Sequence, residues 1–387
     1  MNKHSHTNPI FFVVFLVLFA QLALSQSSQQ GKIAFSSDRD GQSEIYVMNT
    51  DGSAQERLTA TQDDEYLPAW SPDGGTLAFL RRGSDGNCSI FLMDVSGLNV
   101  RSVPNSAATC TSSISWAPDG SRIAFSNFPN LFSMRIDGTG KFLLYTTYTN
   151  PFFQAIDPSW SPDGSKIAFT GPGWYTDVWT VAADGTDPIR ITNTPFTYTA
   201  VGSPSWSGLD GRIIYADASE DMGSNHRIAS VRPDGSEGQI MLQLSSDLIL
   251  RRPSLSPDGQ KFVFAECTYQ FTSPHCHTQI AVSGTGTITS LGGNSDPSWQ
   301  PAVAKVSISG RVTTAGGRGI GNVRVTIEAP SGTVWVATTS AFGYFLFEDV
   351  SVGTDYSLTA RSRRYTFLPQ QISPAANVTG IGFVAVN

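Results

Sequence analysis

The chain has 387 residues, of which 40% are apolar and only 15% are charged, and its net charge is −7. This length leaves room for two or three domains, and the apolar content suffices for ordinary buried cores. Residues 303–387 carry seven basic and four acidic side chains, and Lys3 is the one charge of the leader, so residues 26–302 hold a net charge of −11. Such an acidic body argues against nucleic acid and anionic membranes as general partners.

The first 25 residues are typical of a signal peptide. Lys3 gives a positive start, Ile10 to Ala20 is an unbroken apolar run, and Ala23-Leu24-Ser25 fits cleavage after a small residue. The run is too short to span a bilayer comfortably, and no second apolar stretch of spanning length follows. An uncleaved anchor is the alternative. We expect a signal peptide at 1–25, no membrane span after its cleavage, and a periplasmic or secreted, cell-surface product.

One pattern recurs six times at intervals of 44 to 49 residues: a strand ending in Trp, a Pro-Asp-Gly turn and a strand like Ile-Ala-Phe. The Trp positions are Trp70, Trp116, Trp160, Trp206, Leu255 (replacing Trp) and Trp299. A period near 45 with strand patterning is typical of a β-propeller, in which each repeat is one four-stranded blade. The array begins at a second strand, Lys32–Phe35, and ends at an orphan first strand, Asp296–Trp299. Pairing these two segments would close six blades into a ring without free edges.

The repeats resemble those of the TolB-like, or WD40-like, propeller family. The resemblance is carried by segments such as Ser36-Ser37-Asp38-Arg39-Asp40-Gly41 and Glu44-Ile45-Tyr46-Val47-Met48-Asn49, and it covers about residues 32–301. It implies an all-β fold with a six-bladed propeller at 31–301. It implies no particular activity, because propellers carry many unrelated functions.

Four cysteines follow the leader: Cys88, Cys110, Cys267 and Cys276. In an oxidising compartment an even number suggests two disulfides, and sequence alone leaves three possible pairings. Proximity in the chain favours Cys88–Cys110 and Cys267–Cys276. The alternative is a metal cluster of Cys267 and Cys276 with His275 and His277, which lacks paired C-x-x-C spacing.

Strands alternate in direction, so the Pro-Asp-Gly and Asp-Gly turns share one face of the propeller, here named the tight-turn face. The longer loops after second and fourth strands share the opposite face, here named the variable face, together with both expected disulfides. Aromatic residues concentrate in these loops, and the candidate ligand-binding set is Phe152, Phe153, Trp174, Tyr175, Phe196 and Tyr198. Rigid aromatics on variable loops suit recognition of protein or carbohydrate. The alternative is that they pack against adjacent loops and plug the channel mouth.

Residues 305–387 predict a small β-sandwich of seven short strands, because apolar residues alternate with polar ones between Gly-rich turns. The segments Ser309-Gly310-Arg311-Val312 and Ala341-Phe342-Gly343-Tyr344-Phe345 resemble the carboxypeptidase regulatory-like, or transthyretin-like, domain. That resemblance implies an accessory domain for adhesion, stabilisation or presentation of its neighbour, and no peptidase activity.

No catalytic motif is present: there is no G-x-S-x-G, no H-E-x-x-H and no Gly-rich phosphate loop. We therefore predict no catalytic, cofactor-binding or metal-binding residues. The leading hypothesis is an exported, non-catalytic, monomeric binding or scaffold protein that recognises an envelope protein or a carbohydrate. The alternatives are a carbohydrate-active propeller enzyme, either glycan hydrolase or lyase, and a purely structural cell-surface component. Two carboxylates converging in a pocket on the variable face would favour the enzyme.

Overall fold

The computed structural model describes residues 31–110, 113–147, 155–172, 176–193, 199–219, 225–244, 248–268, 276–282, 288–291, 295–301, 305–351, 355–374 and 377–386. All regular structure in these ranges is β-strand, which confirms the predicted all-β class. Within the same ranges we find no helix with the length and apolar character needed to cross a bilayer.

Residues 32–299 contain 24 described strands. In chain order they are β1 (Lys32–Ser37), β2 (Glu44–Asn49), β3 (Glu56–Arg57), β4 (Asp64–Trp70), β5 (Thr76–Arg82), β6 (Cys88–Asp94), β7 (Arg101–Ser102), β8 (Ser115–Trp116), β9 (Arg122–Asn127), β10 (Asn130–Arg135), β11 (Phe142–Thr146), β12 (Ile156–Trp160), β13 (Lys166–Pro172), β14 (Thr176–Ala182), β15 (Ile189–Arg190), β16 (Thr199–Trp206), β17 (Ile213–Ser219), β18 (Asn225–Val231), β19 (Gln239–Leu244), β20 (Leu248–Leu255), β21 (Lys261–Thr268), β22 (Cys276–Val282), β23 (Ile288–Ser290) and β24 (Ser295–Trp299).

These described strands pair as sets of four antiparallel neighbours, each of which we interpret as one blade. Blade 1 is β24-β1-β2-β3, and blades 2 to 6 follow as β4–β7, β8–β11, β12–β15, β16–β19 and β20–β23. Blades 4 and 5 are joined by a single parallel residue pair, Thr176 with Ala200. Inner strands are buried on both faces and are apolar on both sides, as in Ile33-Ala34-Phe35 of β1, whereas the outermost strands β3 and β7 are exposed.

Blade 1 is assembled from the two ends of the array. β24 pairs antiparallel with β1, with Ile33 opposite Trp299 and Ala34 opposite Ser298. This is the pairing that the repeat pattern predicts. Gln300 extends it, since the Gln300 backbone N–H donates to the Lys32 carbonyl at 2.8 Å and its side-chain amide donates to the Gly74 carbonyl at 3.0 Å. The free edge of β1 is thereby closed.

The Trp at the end of each first strand holds neighbouring blades together. Trp70 packs with Ala34 and Val47 of blade 1 and with Leu77 of its own blade. The indole N–H of Trp70 also donates to the Ser298 carbonyl, at 3.2 Å, and that of Trp116 donates to the carbonyl of Ala69 in blade 2, at 3.0 Å. A large ring with one polar tip suits this position, because the ring fills the space between two sheets and the N–H finds an acceptor. The predicted packing role of Trp is confirmed at these positions.

Serine hydroxyls add a second link between innermost strands. The Ser115 Oγ accepts a hydrogen bond from the Trp160 backbone N–H at 2.9 Å, and the Ser159 Oγ accepts one from that of Trp206 at 2.8 Å. The same link recurs from Trp299 to Ser254, at 3.3 Å. In these three blades the serine before the Trp position therefore satisfies a backbone donor of the next blade.

The Pro-Asp-Gly turns owe their shape to the aspartate. In blade 4, Asp163 Oδ1 accepts from the Ser161 hydroxyl at 2.6 Å and from the Ser165 backbone N–H at 3.0 Å, while Gly164 adopts a φ of +72°. Hydrogen bonds from Ser161 and from the Ser165 backbone and side chain lower the pKa of Asp163 to about 2.

We expect these turns to make stability sensitive to strong acid. The carboxyl of Asp163 has a lower pKa in the folded chain than the value of about 3.9 in unfolded chains, so its contribution is present above about pH 4 and is lost as the pH falls towards 2. Asp163→Asn should reduce the loss of stability between about pH 5 and pH 2 by at most about 1 kcal/mol, since the turn is exposed. Urea unfolding at the two pH values measures this difference in unfolding free energy. Glu56→Gln, on an exposed strand, is the control. A pH dependence identical to that of the wild type would contradict it.

Residues 305–386 form the second β region. Its described strands are β25 (Lys305–Thr313), β26 (Arg324–Glu328), β27 (Val334–Thr338), β28 (Tyr344–Ser351), β29 (Tyr356–Arg361), β30 (Gln370–Ile372) and β31 (Val378–Val384). They pair into two sheets, β28-β25-β31 and β27-β26-β29-β30. A core that includes Ile308, Val325, Phe345, Leu358 and Phe383 lies between the sheets. The predicted seven-stranded sandwich is confirmed for this part of the chain.

The sandwich rests on the tight-turn face of the propeller. Its contacts centre on Asp73 of the blade 2 turn, which is buried. The Ser331 hydroxyl donates to Asp73 Oδ2 at 2.6 Å, and the Ser351 hydroxyl donates to the Asp73 carbonyl at 2.9 Å. Thr76 and Thr333 share a further hydrogen bond, at 2.8 Å. A turn aspartate that elsewhere shapes its own loop here also anchors a second domain.

Candidate functional site

The candidate aromatic set of the variable face lies outside the described residues. This applies to all six members: Phe152, Phe153, Trp174, Tyr175, Phe196 and Tyr198. Their role in ligand binding stays a prediction. What the structure does describe is the disulfide framework of this face and the central channel of the ring.

Cys88 and Cys110 form a disulfide, as predicted from their proximity in the chain. It links the start of β6 to the segment before β8, and so ties together two loops of the variable face. Cys267 is disulfide-bonded as well, and strand register places it opposite Cys276. In the part of the chain that the structure describes, no group of three or more His, Cys, Asp or Glu side chains could hold a metal ion.

Removing the first disulfide should cost about 3 kcal/mol of unfolding free energy. The bond closes a loop of 22 residues, and cross-links over loops of that length restrict the unfolded chain by about this amount. The double variant Cys88→Ala/Cys110→Ala, compared with the wild type by urea unfolding under non-reducing conditions, measures the change. A loss below about 1 kcal/mol would show that the loops are held mainly by other contacts.

The innermost strands of the blades line a central cavity of about 280 Å³. Five of them carry a proline at the same position, namely Pro68, Pro158, Pro204, Pro253 and Pro297. The residue before each of these prolines has a positive φ, between +49° and +59°. All five of these strands shift register there, which is a β-bulge, and bulges re-aim side chains. At the repeated bulge, the side chain before each proline therefore departs from the regular alternation of its strand.

Three of these pre-proline residues are charged and meet in the channel. Arg252 lies between Asp157 and Asp296: its Nη2 is 3.8 Å from Asp157 Oδ1, and its Nη1 donates to Asp296 Oδ1. The three side chains are only 17%, 9% and 11% exposed, respectively. We name them the Asp–Arg–Asp group. Burial alone would lower the pKa of Arg252, but the charges of Asp296 and Asp157 and the hydrogen bond to Asp296 outweigh it and raise that pKa.

Serine and backbone donors complete the group. Asp157 accepts from the Ser113 backbone N–H and from the Ser203 hydroxyl, both at 3.0 Å. Asp296 accepts from the Ser36 hydroxyl at 2.9 Å. Two carboxylates do converge here, yet the Arg252 guanidinium occupies the space between them, where a glycosidase keeps room for substrate or water. The arrangement offers fixed charges and hydroxyls to a bound polar group.

Sequence reasoning did not find this group. The available signal was the residue three positions before each Trp position. It varies between repeats as Leu67, Ser113, Asp157, Ser203, Arg252 and Asp296, while the two residues that follow it are Pro and a small residue in five of the six repeats. Charged residues at an otherwise uniform inner-strand position point to the channel, because the innermost strands of every blade meet there.

Comparison with known proteins finds one family match in each of the two β regions. Residues 25–144 match the TolB beta propeller domain, and residues 307–379 match the carboxypeptidase regulatory-like domain. One segment of the chain is therefore similar to the TolB propeller domain and another to the carboxypeptidase regulatory-like domain.

Solved structures and a curated relative add to this result. TolB from Acinetobacter baumannii has a TM-score of 0.57 at 20% identity, over 73% of this chain and 70% of that one. A structure assigned to TolB from Agrobacterium tumefaciens has a TM-score of 0.52 at 18% identity, over 82% of this chain and 98% of that one. At these identities the likeness shows the fold alone. The Tol-Pal system protein TolB of Zymomonas mobilis is 39% identical over 61 residues, which is 16% of this chain and only 13% of that relative.

Proposed function

We propose that the chain is an exported, non-catalytic binding or scaffold protein whose variable face recognises an envelope protein or a carbohydrate. The proposal rests on one difference between the two propeller faces: the sandwich contacts only one of them. The sandwich occupies the tight-turn face at Asp73 and Thr76, whereas the described contacts of the sandwich leave the variable face uncovered. A rigid ring with one covered face presents its loops on the other.

The channel supports binding rather than turnover. The Asp–Arg–Asp group supplies charges and hydroxyl neighbours held by strands, and Arg252 fills the space between its carboxylates. Export is proposed from the residues of the leader, and an envelope protein partner is supported by the similarity to a Tol-Pal system protein. The sandwich would then support or present the propeller.

Capture from the native cell envelope, followed by a glycan array, tests the proposal. Trp174→Ala with Phe153→Ala should abolish the capture or glycan binding seen with the wild type. Leu209→Ala, which removes an exposed apolar side chain from the tight-turn face, is the matched control and should change nothing. Equal binding by all three proteins would overturn the variable face as the binding surface. Turnover of any member of a polysaccharide panel would favour the carbohydrate-active enzyme instead.

A further inference from the structure

Strand β28 carries large apolar side chains on the outward face of the sheet β28-β25-β31, where a solvated sheet ordinarily carries polar ones. On β28, Phe345 and Phe347 point into the sandwich core, and Tyr344 and Leu346 alternate with them on the outside, 57% and 53% exposed. Phe342, just before the strand, is 72% exposed. We name Phe342, Tyr344 and Leu346 the apolar row. Packing of the sandwich core does not explain why these three exposed positions carry apolar side chains.

The strands beside the apolar row leave it open and flat. Arg311 of β25 lies opposite Tyr344 on one side and opposite Gly382 of β31 on the other. A Cβ added at Gly382 or at Gly380 would meet no heavy atom within 4 Å. Gly380 has a φ of +79°, which itself favours glycine. Gly382 serves neither close packing nor a positive φ, and it keeps the surface beside Arg311 free of a side chain.

Arg311 is held against the apolar row. Its Nε donates to the Phe342 carbonyl at 3.0 Å, and its guanidinium carbon lies 5.0 Å from the centre of the Tyr344 ring. Over the described ranges it forms no salt bridge. A guanidinium oriented by one nitrogen and one aromatic face keeps its terminal amino groups for a carboxylate. Glu348, the next outward residue after Leu346, marks the opposite end of the row.

The propeller of the same chain does not cover this surface. Lys305, at the start of β25, donates to the Asp73 carbonyl and so lies at the domain contact. Arg311 is six residues further along the extended strand, about 20 Å away. The surface is also small for a protein partner: it offers a handful of side chains, whereas a stable protein interface uses roughly 20–30 residues on each side.

We propose that the apolar row and Arg311 bind an acidic polysaccharide, with sugar rings against Tyr344 and Phe342 and a uronate carboxylate on the Arg311 guanidinium. The charge of Arg311 selects an anionic ligand, the flat aromatic surface suits a ring with an apolar face, and a repeating polymer offers many copies of the same short ligand to one small site. This site goes beyond the proposed function, since it lies on the sandwich and is independent of the variable face.

Titration of the full chain with polygalacturonate, and with its neutral methyl ester, tests the site. Tyr344→Ala should weaken binding of polygalacturonate about tenfold, by loss of ring stacking. Arg311→Gln should remove the preference for the acid over the ester, and added salt should weaken binding of the acid alone. Val336→Ala, which shortens an exposed side chain on the other sheet, is the matched control and should leave binding unchanged. Unchanged thermal unfolding verifies that each variant folds.

The proposal is overturned if the wild type binds neither polygalacturonate nor alginate nor hyaluronan, or if Tyr344→Ala and Arg311→Gln bind as the wild type does. It is also overturned if the chain dimerises with increasing concentration and Tyr344→Ala abolishes the dimer without affecting polysaccharide, which would assign the row to a second copy. Tyr344→Ala should leave capture from the native cell envelope unchanged, so failure of this site and failure of the variable face are distinguishable.

Discussion

Replacing Arg252 by methionine should lower the free energy of unfolding by about 3–5 kcal/mol, because it removes the cation from a buried group of charges. The guanidinium sits between Asp157 and Asp296, and both carboxylates are almost fully buried. Methionine has similar bulk but no charge, so the two acids would face each other in the channel without the cation between them. Urea unfolding at neutral pH measures the loss.

A surface pair serves as the matched control for Arg252. The Nε of Arg232 lies 2.8 Å from Oε2 of Glu237, but both side chains are about half exposed. Solvent screens such a pair, and Arg232→Met should cost far less stability than Arg252→Met. If Arg252→Met cost no more than Arg232→Met, the Asp–Arg–Asp group would not contribute to holding the inner strands together.

Substituting Gly75 by serine should release the sandwich from the propeller while leaving the propeller folded. A Cβ at Gly75 would lie 2.7 Å from both Cγ2 and Oγ1 of Thr333. Thr333 cannot simply rotate away, because its Oγ1 shares hydrogen bonds with Thr76 and Ser331. We expect the contact to weaken by about 1–3 kcal/mol, the usual cost of overpacking. Faster amide exchange around residues 329–333 would report it.

The equivalent turns supply the controls for Gly75. Serine stands at the same turn position in Ser121 and Ser165, and glutamine does in Gln260, so the turn itself tolerates these side chains. Ser165→Ala should leave the sandwich docked. Adding Thr333→Ala to Gly75→Ser removes both atoms that clash and should restore part of the docking. Normal protection of residues 329–333 in Gly75→Ser alone would contradict this view of the contact.

The repeat pattern is enough to predict the ring, because each blade reuses the same residues for the same contacts. The pairing of β1 with β24 follows from the unmatched segments at the two ends of the array, and the alternation after residue 305 predicts the sandwich strands. These features depend on local patterns of period two and on a count of repeats.

Contacts between distant segments could not be predicted in this way. The turn aspartates look alike in sequence, and only the glycine at position 75 distinguishes the turn that receives the sandwich. The Asp–Arg–Asp group joins residues that are 44 or more positions apart, and it forms only because closed rings bring equal strand positions together. The aromatic loops of the variable face lack the repeat that made the strands predictable, so their arrangement stays a hypothesis.

Cross-linking of β1 to β24 tests the closed ring most directly. Ala34 and Ser298 are direct partners in the antiparallel register, where Cα atoms lie about 4.5–5.5 Å apart, a separation that a disulfide can bridge. In the double variant Ala34→Cys/Ser298→Cys, a closed ring predicts a disulfide between the two peptides, identified by mass spectrometry. Ala34→Cys/Ser159→Cys, with the second cysteine on the innermost strand of blade 4, should remain unlinked. Free thiols in the first variant, or a cross-link in the second, would contradict the ring.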